Sequence, residues 1–351
     1  MDQQKVIISQ HLEQSLSQAL AECTFDRLFV LVDETTKKCC LPTLSSAIRH
    51  LPSDIGIITI GATDQHKTLD TLSHVWSELQ RMGATRHSLM INLGGGMVTD
   101  LGGFAASTFK RGIHYINIPT TLLSMVDASV GGKTGINFGG LKNEIGVFNN
   151  ADCVILDTTF LKTLDQENIL SGYAEMLKHG LIDSEAHWAE LLGNPENLDN
   201  LERLATLVAR SVAVKQRIVT EDPTERGLRK ALNLGHTAGH AFESLALERT
   251  PILHGYAVAY GLVVELYLSC VKTGFPTDKM RQTVQFIKEH YGRMAITCDD
   301  YPHLLELMHH DKKNEGSAIN FTLLADIGDL RINQTATEEE IKEALDFYRE
   351  N

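Results

Sequence analysis

The sequence predicts two domains of different class: an α/β N-terminal domain with a mostly parallel sheet, residues 1–162, and a mostly α-helical C-terminal domain, residues 163–351. Three observations predict it. Short β-branched apolar runs alternate with helical patterns through the first half. After about residue 162 those runs become rare and long patterns of 3.6-residue period take over. The chain has 351 residues, too many for one ordinary core and too few for three.

The strand candidates in order are Leu28–Val32, Ile55–Ile60, Leu89–Leu93, Tyr115–Ile118 and Val154–Leu156. Between the second and third, Lys67–Met82 places Leu69, Leu72, Val75, Trp76 and Leu79 on one helix face and stops at Gly83, a residue suited to a helix end. In the second half, Asn168–Ile182, Leu198–Thr220, Leu232–Leu247 and Tyr256–Val271 read as helices. A late strand pair, Ile319–Leu324 and Asp329–Ile332, precedes a terminal helix over Glu338–Tyr348.

Charge and composition exclude several classes. Hydrophobic residues make up 43% and charged residues 22%, a globular balance. Thirty-two Lys and Arg against 45 Asp and Glu give a net charge of −13, which repels nucleic acid and anionic membrane. The apolar stretch Gly255–Val271 is interrupted by Glu265 and falls short of the roughly 20 residues a membrane span needs, so it reads as a buried helix. The first residues carry no cationic segment followed by an apolar core, which makes the cytoplasm the expected location. Six cysteines without CxxC spacing point to reduced thiols rather than disulfides or a thiolate metal site.

Three groups of residues carry chemistry. Gly94-Gly95-Gly96 follows a strand and opens a helix, so its backbone either admits a diphosphate to the helix N-terminus or forms a tight structural turn. Asp33, at the end of the first run, suits a ribose hydroxyl or a helix cap. His236 and His240 are i and i+4 on one helix face, with His254 beyond them and Glu175 one turn from Lys178. Two imidazoles and a carboxylate suit a divalent cation with open positions for substrate, although helix-face histidines also occur without a metal. Lys133, Lys142-Asn143 and Lys312-Lys313 lie in or near glycine-containing turns, and Lys215 and Arg229 flank Glu221–Glu225, a distribution suited to an anionic ligand.

These residues resemble one family, the 3-dehydroquinate synthases, within the wider sugar phosphate cyclases. The resemblance runs through Gly94–Phe104, Pro119–Asn137, Lys142–Gly146, Ala174–Lys178, Gly227–His240, Leu253–Gly255 and Asp311–Lys313. It implies an NAD-binding α/β domain, a helical metal- and substrate-binding domain, and an active site in the cleft between them. The metal ligands implied are Glu175, His236 and His254, holding Zn2+ or Co2+, with His240 facing substrate. NAD is implied at Asp33, Asp64, Lys67, Gly95, Gly96, Asp100, Thr120, Thr121, Lys133, Lys142, Phe160 and Thr163. One position departs from the family pattern Gly-Glu-x-x-Lys, which here ends Thr63-Asp64-Gln65-His66-Lys67, a carboxylate shorter by one methylene.

The implied reaction turns 3-deoxy-D-arabino-heptulosonate 7-phosphate into 3-dehydroquinate and phosphate. Transient oxidation at C5 acidifies the C6 proton, phosphate leaves by β-elimination, and re-reduction permits ring opening and aldol closure. Lys133, Asn143 and Lys178 are implied at the phosphate, and Lys215, Arg229 and Asn233 at the carboxylate and hydroxyls. Asp127, Glu225 and Lys312 complete the pocket, with Lys313 as the alternative to Lys312. The family also implies a homodimer in which Arg111 reaches a partner's phosphate site. The rival readings are another NAD- and metal-dependent sugar phosphate cyclase, a metal-dependent polyol dehydrogenase, and an inactive member kept as an interaction protein.

Overall fold

The computed structural model describes residues 4–49, 55–193, 200–309 and 319–351. The chain divides into two compact units, Met1–Asp165 with Asn200–Val212, and Gln166–Asp199 with Ala213–Asn351.

In the first unit the order is β1 (Val6–Ile8), α1 (Leu12–Ala21), β2 (Leu28–Asp33), α2 (Glu34–Cys39), α3 (Leu41–Ala47) and β3 (Gly56–Ile60). Then come α4 (Leu69–Arg81), β4 (Leu89–Gly94), α5 (Gly96–Thr108), β5 (His114–Pro119), β6 (Lys133–Phe138), β7 (Leu141–Phe148) and β8 (Cys153–Leu156). Six strands form one parallel sheet in the order β1-β8-β5-β4-β2-β3. Every residue of β2, β4 and β8 is buried, as strands covered on both faces must be. α5 lies against β2, β4 and β5, so near that a Cβ on Gly102 would stand 2.2 Å from Asn92 Oδ1. The chain steps outward from β2 to β3 and returns on the other side of β2 as β4. That reversal is where an open α/β sheet leaves a crevice beyond the carboxyl ends of its strands.

The parallel sheet agrees with the sequence, and all five expected runs are strands. Two features were not expected. β1 has only three residues, too few for a pattern. The glycine-containing segments read as turns between 131 and 142 contribute to an antiparallel ribbon, β6 with β7. Its glycines hide it: a Cβ on Gly146 would stand 2.0 Å from Thr134 O, so strand residues with side chains are excluded there.

The second unit contains α6 (Gln166–Asp183), α7 (Glu185–Leu192), the later part of α8 (Leu201–Glu221), α9 (His236–Leu247), α10 (His254–Thr273), α11 (Thr277–Tyr291) and α12 (Tyr301–His309). It closes with a hairpin, β9 (Asn320–Asp326) and β10 (Asp329–Thr335), and α13 (Glu338–Glu350). α10 is the centre, touching α6, α9, α11, α13 and β9. By length and composition it is apolar enough to cross a membrane, but 72% of that window is buried inside the protein, the property of a core helix. The helix expected from Leu232 starts later, at His236, because Gly235 takes the left-handed conformation at φ 78° and separates a 3-10 turn over Leu228–Asn233 from α9.

Candidate active site

The helical unit gathers a carboxylate and imidazoles. Glu175 lies in the middle of α6, where every residue from Ile169 to Ile182 is buried. His236 opens α9 and His254 opens α10. His236 Nε2 is 3.3 Å and His254 Nε2 3.4 Å from Glu175 Oε1. Their other ring nitrogens face Leu234 O at 3.1 Å and Glu243 Oε2 at 3.4 Å, which fixes how each ring is turned. The His240 ring stands beside the pair, 5.4 Å from that of His236 and 6.0 Å from that of His254. Spacing alone could not rank the three histidines; the geometry aims two of them at one carboxylate oxygen.

These donors fit a divalent cation. The Glu175 and two histidine ligand atoms lie within 4.8 Å of one another. Glu175 Oε1 is fully buried and accepts no hydrogen bond of good geometry among the described residues, a state that costs free energy unless a cation or proton answers it. The other oxygen is paired with Lys178. Burial alone would lift the Glu175 carboxyl, but the Lys178 ammonium and the His236 imidazole hold it well below the usual carboxylate range. Burial likewise works against charge on His254, yet the Glu243 and Glu175 carboxylates outweigh it and raise the pKa to about 10.

In the same unit, Asp222 shapes a polar loop by accepting the backbone N–H groups of Arg226, Gly227 and Arg229. Arg229 is buried, with Nη1 donating to Pro223 O at 2.6 Å. Glu225 holds a left-handed backbone at φ 60° and accepts Asn233 Nδ2 at 3.0 Å, so a strained residue and its partner are fixed together. Lys215 is buried on α8. Lys312 and Lys313 lie outside the described residues.

In the α/β unit Asp33, Gly95, Gly96, Thr120, Thr121, Phe160 and Thr163 follow the carboxyl ends of the sheet's strands, whereas Arg111 precedes β5 at the opposite edge and Lys133 belongs to the separate β6–β7 ribbon. Gly95 caps α5 from extended backbone, and a Cβ there would press on Thr121 Cγ2 at 3.1 Å. Thr120 N bonds Gly94 O at 2.9 Å, which ties the end of β5 to the glycine turn. Asp33 ends β2 and accepts Thr36 N at 2.8 Å in a capping box, so it is a helix cap facing the same edge. Lys67, almost fully buried, donates to Asp100 Oδ2 at 2.6 Å and to Asn143 Oδ1. Asp64 Oδ2 accepts Asn137 Nδ2 at 3.2 Å and lies 3.9 Å from Lys142 Nζ. Phe160 and Thr163 share a 3-10 turn after β8, closed by Thr163 Oγ1 on Phe160 O at 2.7 Å. Asp127 sits in a π turn, Ser129 N on Ser124 O at 3.0 Å, a distortion common at functional positions. Lys133 opens β6, and Arg111 has left-handed backbone at φ 72°. The cradle suits a dinucleotide: bare backbone at a helix N-terminus, with a carboxylate at the end of the neighbouring strand.

The sequence reading missed Glu243, Asp222 and the partners of Glu265. Glu243 had a signal, since His236, His240 and Glu243 are i, i+4 and i+7 on one face of α9.

A parallel α/β unit followed by a helical unit is the fold found in sugar phosphate cyclases. 2-Epi-5-epi-valiolone synthase from Streptomyces hygroscopicus, solved with NAD+ and Zn2+ bound, matches at a TM-score of 0.88 and 25% identity, covering 99% of this chain and 97% of that one. 2-Deoxy-scyllo-inosose synthase, solved with carbaglucose-6-phosphate, NAD+ and Co2+, matches at 0.86 and 21% identity over 99% and 96% of the two chains. The family models for the 3-dehydroquinate synthase N-terminal and C-terminal domains match residues 57–171 and 172–314. A 3-dehydroquinate synthase of Parabacteroides distasonis is 54% identical, covering 100% of this chain and 99% of the relative. The chain belongs to the 3-dehydroquinate synthase family.

Proposed function

We propose that the chain is a phosphate-eliminating lyase that converts 3-deoxy-D-arabino-heptulosonate 7-phosphate to 3-dehydroquinate and inorganic phosphate, a step of the shikimate pathway, using NAD and one Zn2+ or Co2+ ion. The observation that carries this reading is the Glu175–His236–His254 set within a chain that matches a 3-dehydroquinate synthase along its full length at 54% identity. The other cyclases stand at 25% and 21%, which favours dehydroquinate chemistry over theirs.

The domains are assigned as 1–162 for the dinucleotide and 163–351 for metal and substrate. NAD supplies a reversible hydride acceptor, and the cation supplies a Lewis acid for neighbouring hydroxyls. Glu175, His236 and His254 hold the cation, and the edge set from Asp33 to Thr163 holds the dinucleotide.

The remaining work belongs to side chains. His240, beside the ligand imidazoles, relays the proton of the substrate hydroxyl to be oxidised, since an imidazole exchanges protons near neutral pH. Lys133, Asn143 and Lys178 donate to the phosphate and stabilise it as it leaves, and one of its oxygens takes the C6 proton that the elimination releases. Arg229 forks onto the substrate carboxylate with Lys215 beside it, while Asn233, Glu225, Asp127 and Lys312 orient the hydroxyls. A homodimer lets Arg111 of a second copy reach the phosphate. The six free cysteines suit the reducing cytoplasm.

The test is phosphate release from the heptulosonate phosphate by purified protein, with and without NAD+ and with and without chelator, the product identified by NMR. Release of phosphate and dehydroquinate only when both cofactors are present supports the reading. Fully loaded protein that releases no phosphate rejects this substrate.

A further inference from the structure

Buried among the apolar residues of α10 is one carboxylate, Glu265, with no exposed surface. It makes neither of the metal contacts described above. Its Oε2 accepts Gly235 N at 2.6 Å and its Oε1 accepts Ala238 N at 3.1 Å. Those two N–H groups belong to the cap position and the third residue of α9, the helix that His236 opens. In a capping box the cap side chain and the third residue satisfy these same donors. Here the cap is Gly235, which has no side chain to offer, and a neighbouring helix supplies the acceptor for both.

The reason lies in the packing of α9 on α10. Gly235 is left-handed, and a Cβ there would stand 2.9 Å from Leu262 Cδ2 and 3.1 Å from Val258 O. A Cβ on Gly261 would stand 2.0 Å from Gly235 O. The two backbones therefore meet where a normal cap residue has no room. Glu265 closes the gap and at the same time fixes the first turn of α9 against α10. The first turn carries His236, and α10 itself opens with His254. We infer that Glu265 is a positioning residue for the metal centre: as a cap supplied by another helix, it sets the place of His236 relative to His254. This rests on the cation reading of Glu175, His236 and His254.

The test is Co2+ affinity, measured by chelator competition and by the visible absorption of bound Co2+, on the full-length protein. In Glu265→Gln an amide –NH2 faces one of the two N–H groups, so one bond is lost while shape is kept. The expected result is Co2+ binding weaker by about 10- to 100-fold with an altered spectrum, the effect usual for residues that orient a ligand. Leu268→Ala, a buried change on the same helix away from the cap, is the control for lost stability. It should keep Co2+ affinity at a comparable loss in Tm, and Glu265→Gln binding as tightly as that control would overturn the inference. Should Glu265→Gln fail to fold, Glu265→Asp, which keeps the charge but withdraws it by one methylene, is read the same way: weakened Co2+ binding supports the cap and unchanged binding overturns it. If the wild-type protein binds no Co2+ that His236→Ala loses, the cation reading itself falls, and this inference with it.

Discussion

The two candidate sites are built from different parts of the chain. In the α/β unit the cradle is mostly backbone, with Gly95 and Gly96 at the start of α5 and Thr120 and Thr121 at the end of β5. In the helical unit the centre is made of side chains, with Glu175, His236 and His254 brought from three helices to one carboxylate oxygen. A backbone site fails when atoms are added to it, because its function is room. A side-chain site fails when atoms are removed, because its function is donors.

The largest expected effect is on the side-chain site. His236→Ala removes one of three donors and should abolish stoichiometric metal content and lower turnover by about 1,000-fold or more, the loss of roughly 4 kcal/mol of transition-state stabilisation. NAD+ affinity, measured by calorimetry, should stay unchanged. Metal-replete His236→Ala protein with wild-type turnover would break the distinction. Addition to the backbone site comes next. Gly95→Val places branched carbon against Thr121, so NAD+ binding should weaken by about 10-fold or more, about 1.4 kcal/mol, while metal content stays at wild-type level. A Gly95→Val protein that binds NAD+ normally would show that the cradle is only a tight turn.

The smallest effect lies in the sheet itself. Burial pushes the Cys153 thiol on β8 up to about 12. Native protein at pH 8 should therefore label at the exposed Cys39 and Cys298 with a thiol reagent and spare Cys153 until it unfolds. The sign for stability follows from which state ionises first. The unfolded thiol loses its proton near 9.0 while the buried one stays neutral, so Cys153 makes the fold less stable as pH climbs from 9.0 toward about 12. Labelling of Cys153 in native protein at pH 8 would show that β8 is more open than its burial states.

The same contrast governs what the sequence makes legible. Strands β2, β3, β4, β5 and β8 are apolar runs of local pattern and could be read directly. β6 and β7 could not, because Gly135 and Gly146 are there to let two backbones meet, and glycine in a sequence looks like a turn. Among the histidines, i and i+4 spacing marked His236 and His240 as neighbours. Which ring nitrogen meets Glu175 depends on how α6, α9 and α10 pack, and no periodicity encodes that. Glu265 stands out in the sequence only as a charge inside an apolar stretch. Its partners are 30 and 27 residues away, so its cap is a tertiary contact rather than a local motif. Asp222 gave no signal beyond its type, since its three bonds are all to backbone.

A cyclase takes a hydride from its substrate and returns it within one turnover, which separates it from a polyol dehydrogenase. The most direct test supplies metal-loaded protein with the heptulosonate phosphate and NAD+ at a tenth of the substrate concentration, following phosphate and the NADH absorbance together. For a cyclase, phosphate release runs to the full amount of substrate while no NADH accumulates. Release that stops at one phosphate per NAD+, with NADH rising in step, would contradict the cyclase reading.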